Sequence, residues 1–306
     1  MVPKIKVIGV GGSGGNTVSN MARHGRAGFD LIDVNTDAQA LHFCKASQKI
    51  LIGKLSTKGL GAGMDAALGK TAAEENAKEI SNLLKGSDMV FITCGLGGGT
   101  GSGAGPVIAG IAKALGILTV AVVTTPFSFE GAERRLVAKK ALDQLKDNVD
   151  SLLVISNDHL LKIIDEKTTV SKAFLMCDDI LKEALQSVTD VILSPGIIAI
   201  DFASLSSIMK NSGRALFGTG RAIGEHRAIE AATKAINSPL LDFSLKGAKG
   251  ILFNASGNDV TLGEIQEAAK IITKEADPKA QVIFGAVKDA TLRKGEIKIN
   301  VIATKL

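Results

Sequence analysis

Short apolar runs punctuated by glycine dominate the first half of the chain. Lys4 to Gly9, Phe29 to Val34, Lys49 to Ile52, Met89 to Cys94, Leu118 to Thr124 and Leu152 to Ser156 each read as a strand. Their apolar residues do not alternate cleanly with polar ones, which suits parallel strands buried on both faces. Between them, Asn16 to His24, Thr71 to Leu84, Gly105 to Leu115 and Glu133 to Leu145 have the character of helices. Strand–helix alternation over roughly residues 1–165 predicts a doubly wound α/β domain. Ser171 to Val188 then reads as one long helix, with Ile180, Leu181, Ala184, Leu185 and Val188 on an apolar stripe, and Pro195-Gly196 breaks the chain after it. The last third starts with a helix near Leu205 to Met209. It continues through segments 222–236, 250–255, 262–276, 281–286 and 297–303, a mixture of helices and separated strands that predicts a smaller mixed α/β domain.

Composition narrows the partners. The 306 residues are 45% hydrophobic, enough for one large domain or two ordinary ones. There is no Trp or Tyr, so base-stacking surfaces for single strands are poorly provided. The net charge of +5 is spread along the chain without a dense basic stripe, and no nucleic-acid partner is expected. Cys44, Cys94 and Cys177 stand far apart with no CxxC spacing, which argues against a disulfide framework or a cysteine metal site and fits a reducing compartment. The N-terminus runs straight into a strand with no signal-peptide design, and no 18-residue apolar stretch is present. A cytoplasmic protein without membrane insertion is the expectation.

The glycines carry the chemistry. GVGGSGGN (9–16) follows the first strand, and GLGGGTGSG (95–103) follows a later one. Bare backbone at a strand end lets N–H groups approach phosphate, and the next helix adds its positive end. The first loop alone also fits a dinucleotide site, with Asp33 or Asp37 as the acid near the end of strand two. That keeps an NAD-dependent oxidoreductase open. GLGAG (59–63) adds a third loop suited to a distal phosphate. A string of phosphates explains three loops better than one pyrophosphate does. GxxxxGK[ST] is absent here, so this is no P-loop. Charge on the phosphates would be met by amides, helix dipoles and a metal ion.

GLGGGTGSG resembles the tubulin signature. With VNTDAQAL (34–41), TKGLGAG (57–63), TPFSFEG (125–131), NDHLLK (157–162) and SPLL (238–241), the chain resembles the tubulin/FtsZ family along essentially its whole length. That resemblance implies a tubulin-like, Rossmann-like GTP-binding domain (1–170), a central helix (171–189), a catalytic loop (190–204) given to the neighbouring subunit, and a mixed α/β C-terminal domain (205–306). It implies GTP/GDP as ligand, Mg2+ with GTP, room for a monovalent cation, and head-to-tail homopolymers at the division site, with other division proteins as further partners. Asn16 and Asp178 match positions that recognise guanine; a carboxylate accepts from both N1–H and the exocyclic amine, an edge adenine lacks. Glu130 and Arg134 match ribose and nucleotide contacts, although Arg135 adjoins the latter. Asn35 and Asp37 match the second nucleotide loop, and Asp37 also reads as a helix cap. Gly61, Ala62 and Gly63 match the loop around the terminal phosphate. Gly11, Gly12 and Ser13, with Gly97, Gly98, Gly99, Thr100, Gly101 and Ser102, supply the remaining phosphate contacts.

The family's catalytic loop is close to N-x-D-F-A-D, whereas this chain reads AIDFAS at 199–204. Asp201 remains, Ala199 stands where the family has Asn, and Ser204 where it has a second Asp. A hydroxyl is a poor base and a poor cation ligand compared with a carboxylate. Slow GTPase activity is therefore expected, with water-mediated metal contacts from Asp37 and Asp201, and a non-hydrolysing partner of an active relative as the alternative. MDAALG after GLGAG also lacks the Asn-Pro pair common in the family.

Overall fold

The computed structural model describes residues 3–23, 29–161, 164–165, 167–193, 198, 200–238, 245–274 and 276–305, apart from the side chains of 190–193. The chain divides into two compact units, Met1–Leu185 and Gln186–Leu306.

In the first unit, β1 (Ile5–Val10), α1 (Gly11–Arg23), β2 (Phe29–Asn35), α2 (Ala38–Phe43) and β3 (Gln48–Leu51) lead to the paired helices α3 (Ala66–Glu75) and α4 (Ala77–Leu84). Then come β4 (Met89–Gly95), α5 (Gly99–Ala114), β5 (Leu118–Thr125), a 3-10 turn at Ser128–Glu130, α6 (Ala132–Asn148), β6 (Ser151–Ser156), the short α7 (Asn157–Leu160) and α8 (Val170–Leu193), within which the division into units falls. Strands run in the order β3-β2-β1-β4-β5-β6. All five pairings are parallel. Chain order therefore reverses direction between β1 and β4, where open α/β sheets form their ligand crevice. Ile8, Ile32, Ile80, Leu84, Ile92 and Ile108 fill one core, each fully buried.

Two helices start earlier than propensity suggests. The glycines expected to form loops are the first turns of α1 and α5. Packing overrides the poor helix propensity of glycine here: a Cβ on Gly14 would sit 2.4 Å from the Thr93 carbonyl of β4, so only a bare residue lets α1 lie this close. α3 and α5 meet in the same way, since a Cβ on Gly103 would lie 2.1 Å from the Ala66 carbonyl, and one on Gly69 2.3 Å from that of Gly99. The single helix expected over 71–84 is two. Asn76 breaks it at φ −103°, ψ 15°, and its side chain accepts from Gly53 N–H at 2.9 Å.

The second unit holds α9 (Phe202–Met209), β7 (Gly213–Ile223), α10 (Arg227–Ile236), β8 (Gly250–Gly257), α11 (Leu262–Thr273), β9 (Gln281–Lys288) and β10 (Glu296–Thr304). Strand order is β7-β10-β8-β9. β10 is antiparallel to both neighbours and β8 is parallel to β9. β7 occupies a stretch where the sequence pattern predicts no element, and it takes residues 222 and 223 from the expected helix. α10 and α11 cover the sheet through Ala231, Ala232, Ala235, Ala268 and Ile272.

One buried ion cluster pins this cover. Arg227 on α10 donates from Nε to Glu264 at 2.5 Å and from Nη1 to Asp259 at 2.8 Å. Burial is the largest single influence on Glu264 and opposes its charge, yet the Arg227 hydrogen bond, the Thr261 hydrogen bonds and the Arg227 charge together outweigh it and hold the carboxyl below its usual range. Removing one partner of a buried pair leaves an unpaired charge. Arg227→Ala should therefore cost roughly 3 kcal/mol in denaturant unfolding, toward the low end because Asp259 is half-exposed. Glu264 is depressed, so its contribution is present above its unfolded pKa and is lost as pH falls through the folded one. The variant's deficit should accordingly shrink in acid.

Candidate functional site

The glycine turns after β1 and β4 meet at the switch point. Gly11, at φ 71°, lies against Thr100 and Gly101, and a Cβ there would be 3.1 Å from the Gly101 nitrogen. Thr36 Oγ1 and Thr100 Oγ1 share a hydrogen bond of 2.7 Å that ties the end of β2 to the first turn of α5. Both helices leave their first amides without partners in the helix and carry positive potential there. An anion is what such a pair of ends accepts.

A cleft of about 280 Å³ opens over these turns. Of the residues singled out by sequence, it gathers Gly12, Ser13, Ala62, Gly63, Gly98, Gly99, Thr100 and Gly101 together with Glu130, Arg134 and Asp178. A groove beside it, lined by Gly12, Asn16, Asn35 and Asp178, follows α1 between α2 and α8. Asp178 and Gly12 belong to both.

The remaining positions hold turns and helix caps, with Asp201 in the second unit. Ser102 is buried and its Oγ accepts from Gly97 N–H at 2.9 Å, so the hydroxyl holds the turn closed instead of facing the cleft. Gly97 adopts φ 97° at that turn. Gly61, at φ 84°, donates its N–H to the Thr36 carbonyl at 3.1 Å. Asn35 Oδ1 accepts from Asp37 N–H at 3.2 Å. Asp37 caps α2, with Oδ1 accepting from Gln39 and Ala40. Asp201 caps α9 and accepts from Ser204 N–H at 2.6 Å. The Ser204 hydroxyl and N–H together hold the exposed Asp201 carboxyl below its usual range. Ala199 lies outside the described residues.

Adjacent charges part company here. Asp178 is buried at 9% exposure while Asp179 is exposed, paired with Asn20 at 2.9 Å and Lys182 at 3.1 Å. Burial, then the neighbouring Asp179 charge, pushes Asp178 up to about 7, against a hydrogen bond from Ser13. Arg134, not the exposed Arg135, faces the cleft and pairs with Glu130, whose Oε1 accepts from Phe127 N–H at 2.8 Å.

Of the lining residues that sequence reasoning left unassigned, three bear on the chemistry. Phe174 stands one helical turn before Asp178 on α8 and offers an exposed ring to a planar base. The i, i+4 spacing of the two is a signal that could have found it. Asn157 is buried with Oδ1 unpartnered, as an acceptor for a hydroxyl would be. Cys177 lies beside them, its thiol pushed up to about 12 by burial and therefore inert. Among the described residues, no three His, Cys, Asp or Glu side chains converge on a metal position, and no helix is long and apolar enough to cross a membrane.

Comparison with known proteins agrees with this geometry. Residues 4–165 match the GTPase domain of the Tubulin/FtsZ family, and residues 213–306 the C-terminal domain of the FtsZ family. The chain is similar to an empty FtsZ dimer from M. jannaschii, at 43% identity over 99% of this chain and 88% of that one, with a TM-score of 0.95. A mutant FtsZ from M. jannaschii gives 43% identity, 99% and 91% coverage, and 0.95. CetZ2 from Haloferax volcanii, solved as a GTPgS-bound protofilament, shares the fold at 23% identity, 98% and 92% coverage, and a TM-score of 0.82. The NAD-dependent oxidoreductase that the first glycine loop left open finds no support among these relatives. From residue 4 to residue 306, in fold and in both domain matches, the chain belongs to the Tubulin/FtsZ family.

Proposed function

We propose that this chain binds GTP and GDP in the cleft over α1 and α5 and assembles head to tail into protofilaments that serve cell division. The observation that carries the reading is the pair of glycine first turns at the switch point, with buried Asp178 lining the same cleft. Phosphates would lie on the amides of α1 and α5, the ribose by Glu130 and Arg134, and the base against Phe174 with Asp178 on its donor edge. Mg2+ fits this donor set: it keeps most of its waters and takes phosphate oxygens plus one or two carboxylates, and Asp37 directs both capping bonds to Oδ1, leaving Oδ2 for a metal-bound water. A monovalent cation fits less definite donors.

Self-assembly is supported by a relative at 43% identity described as a dimer. In this reading Asp201 acts on the nucleotide of the next subunit, in the cytoplasm at the division site, where other division proteins would meet the filament. With Ala199 and Ser204 beside it, hydrolysis is slow and GTP filaments are long-lived. A non-hydrolysing subunit that co-assembles with an active relative is the second reading, favoured by the same two residues.

Extraction of the purified protein should yield close to one guanine nucleotide per chain by chromatography, and added GTP should drive it into a sedimentable form while phosphate appears slowly. Recovery of NAD, or of no guanine nucleotide together with no binding of added GTP, would remove this reading. Sedimentation only with an active relative, and no phosphate, would select the second.

A further inference from the structure

The groove along α1 contains a charge that the nucleotide site does not explain. Asp33, near the end of β2, is 1% exposed, and both carboxyl oxygens lack a hydrogen-bond partner. It is pressed against α1: a Cβ on Gly15 would lie 2.9 Å from Oδ2 and 3.0 Å from Oδ1. Its register partner on β1 is Gly9, which offers no side chain. Gly15 is one helical turn from Gly11 and Gly12, the residues that begin the phosphate-facing end.

The charged and titratable groups around Asp33 do not neutralise it. Lys49 is its register partner on β3, but Nζ donates to the His42 carbonyl at 3.2 Å. The Cys44 thiol, at the end of α2, lies beside it and is engaged with Ser19 and the Gly15 carbonyl. Arg23 stands farther along α1, and Asp178, Asp179 and Lys182 face the same groove from α8.

We propose that Asp33 is an affinity-determining residue for the nucleotide phosphates, a buried negative charge that opposes their binding at the N-terminal end of α1. The α1 amides attract phosphate through their positive potential. An ionised carboxylate one turn away, in a dry site, subtracts from that potential and repels the phosphates directly. A neutral Asp33 does neither. Phosphate binding and ionisation of Asp33 are thus linked with opposite sign. Burial raises this carboxyl to about 6, with the neighbouring Cys44 thiol and the Lys49 charge working the other way. The opposition is therefore in force at neutral pH and relaxes in acid. Its consequence is faster surrender of nucleotide than the glycine turns alone would allow.

The inference rests on the guanine-nucleotide reading above, and calorimetry with a charge series separates the two. Guanosine, GDP and GTP are titrated into the parent and Asp33→Asn proteins from pH 5 to 8, and the variant-to-parent ratio is taken at each pH. That ratio cancels the titration of the ligand and of Asp178. Above pH 7, GTP and GDP should bind the variant roughly tenfold tighter, the effect of a unit charge about 10 Å away at an effective dielectric of about 20. Guanosine should be unchanged, and the gain should vanish by pH 5. Asp33→Ala, which also relieves the crowding against Gly15, should show the same pattern. An equal change for all three ligands, weaker GTP binding, or a gain that persists at pH 5 would overturn the inference. A parent protein that binds none of the three sinks the proposed function, and this inference with it.

Discussion

Asp178→Ala should weaken GTP and GDP binding by roughly 10²–10⁴-fold, because two hydrogen bonds to a charged acceptor are worth about 1.5–3 kcal/mol each. The side chain is buried and lines both cavities, and in the proposed site it would accept from an edge with two donors. Guanine has that edge. Xanthine has a carbonyl where guanine has its amine, so Asp178→Asn, which supplies an amide donor, should exchange preference toward xanthine nucleotides. Competition binding with GTP, ATP and XTP reads both effects. Unchanged GTP affinity in the alanine variant would remove Asp178 from base recognition.

The same residue sets a pH dependence. Asp178 is raised to about 7 and must be ionised to accept both protons, so below pH 7 affinity should fall by up to tenfold per unit. Stability follows the opposite course. A carboxyl raised in the folded state favours folding at low pH, and the nucleotide-free protein loses up to about 1.4 kcal/mol per unit as pH rises from the ordinary value, 3.8, toward 7. Asp178→Asn should flatten both trends. Asp33 acts in the reverse sense on phosphate binding, so the two contributions are separable by variant.

Restoring the family pattern, Ala199→Asn with Ser204→Asp, should raise GTP hydrolysis in assembled protein by roughly 10²–10⁴-fold, the usual worth of a positioned general base. The reason lies in what Ser204 does to Asp201. Its hydroxyl and N–H both stabilise the ionised carboxyl, which makes Asp201 a weaker base. An Asp at 204 would keep the N–H cap, remove the donor hydroxyl and add a like charge, pushing the pair toward a useful basicity. Phosphate release and filament turnover should rise together. A double variant that still sediments with GTP yet releases phosphate at the parent rate would show that the catalytic-loop argument is wrong. Ser204→Ala separates the two contributions, since it removes the donor without adding a carboxylate.

Much of the first unit was legible because parallel strands buried on both faces announce themselves as apolar runs. The glycine turns marked the phosphate end for a similar reason: bare backbone has few other uses between a strand and a helix. What the pattern hid was decided by contacts distant in sequence. β7 reads GRALFGTGRAI, and glycines argue against a strand interior. Gly220 is there for α10, since a Cβ would lie 2.1 Å from the Ala231 carbonyl. α1 starts at Gly11 because β4 lies directly beneath it. Composition and spacing do not separate Asp178 from Asp179; the family resemblance picks Asp178, and the helix face turns that residue inward. Asp33 reads as a dinucleotide acid from its place near the end of β2, whereas its carboxyl is folded against Gly15.

The junction of α3 with α5 has a mechanical consequence. Where Gly69 and Gly103 let carbonyl oxygens of one helix approach the bare backbone of the other, there is no side chain to bend or change rotamer. Such a joint has no slack. α3 follows the segment that carries Gly61 to Gly63, and α5 carries Gly99 to Gly101 in its first turn. In the proposed site these two phosphate contacts would be the jaws of one rigid clamp. Give in that clamp has to come from residues 53–64, where Lys58 at φ 53° and Met64 at φ 67° hold a backbone that side-chain-bearing residues seldom adopt. A change at a terminal phosphate in the proposed site would therefore be taken up by this segment and not by the joint.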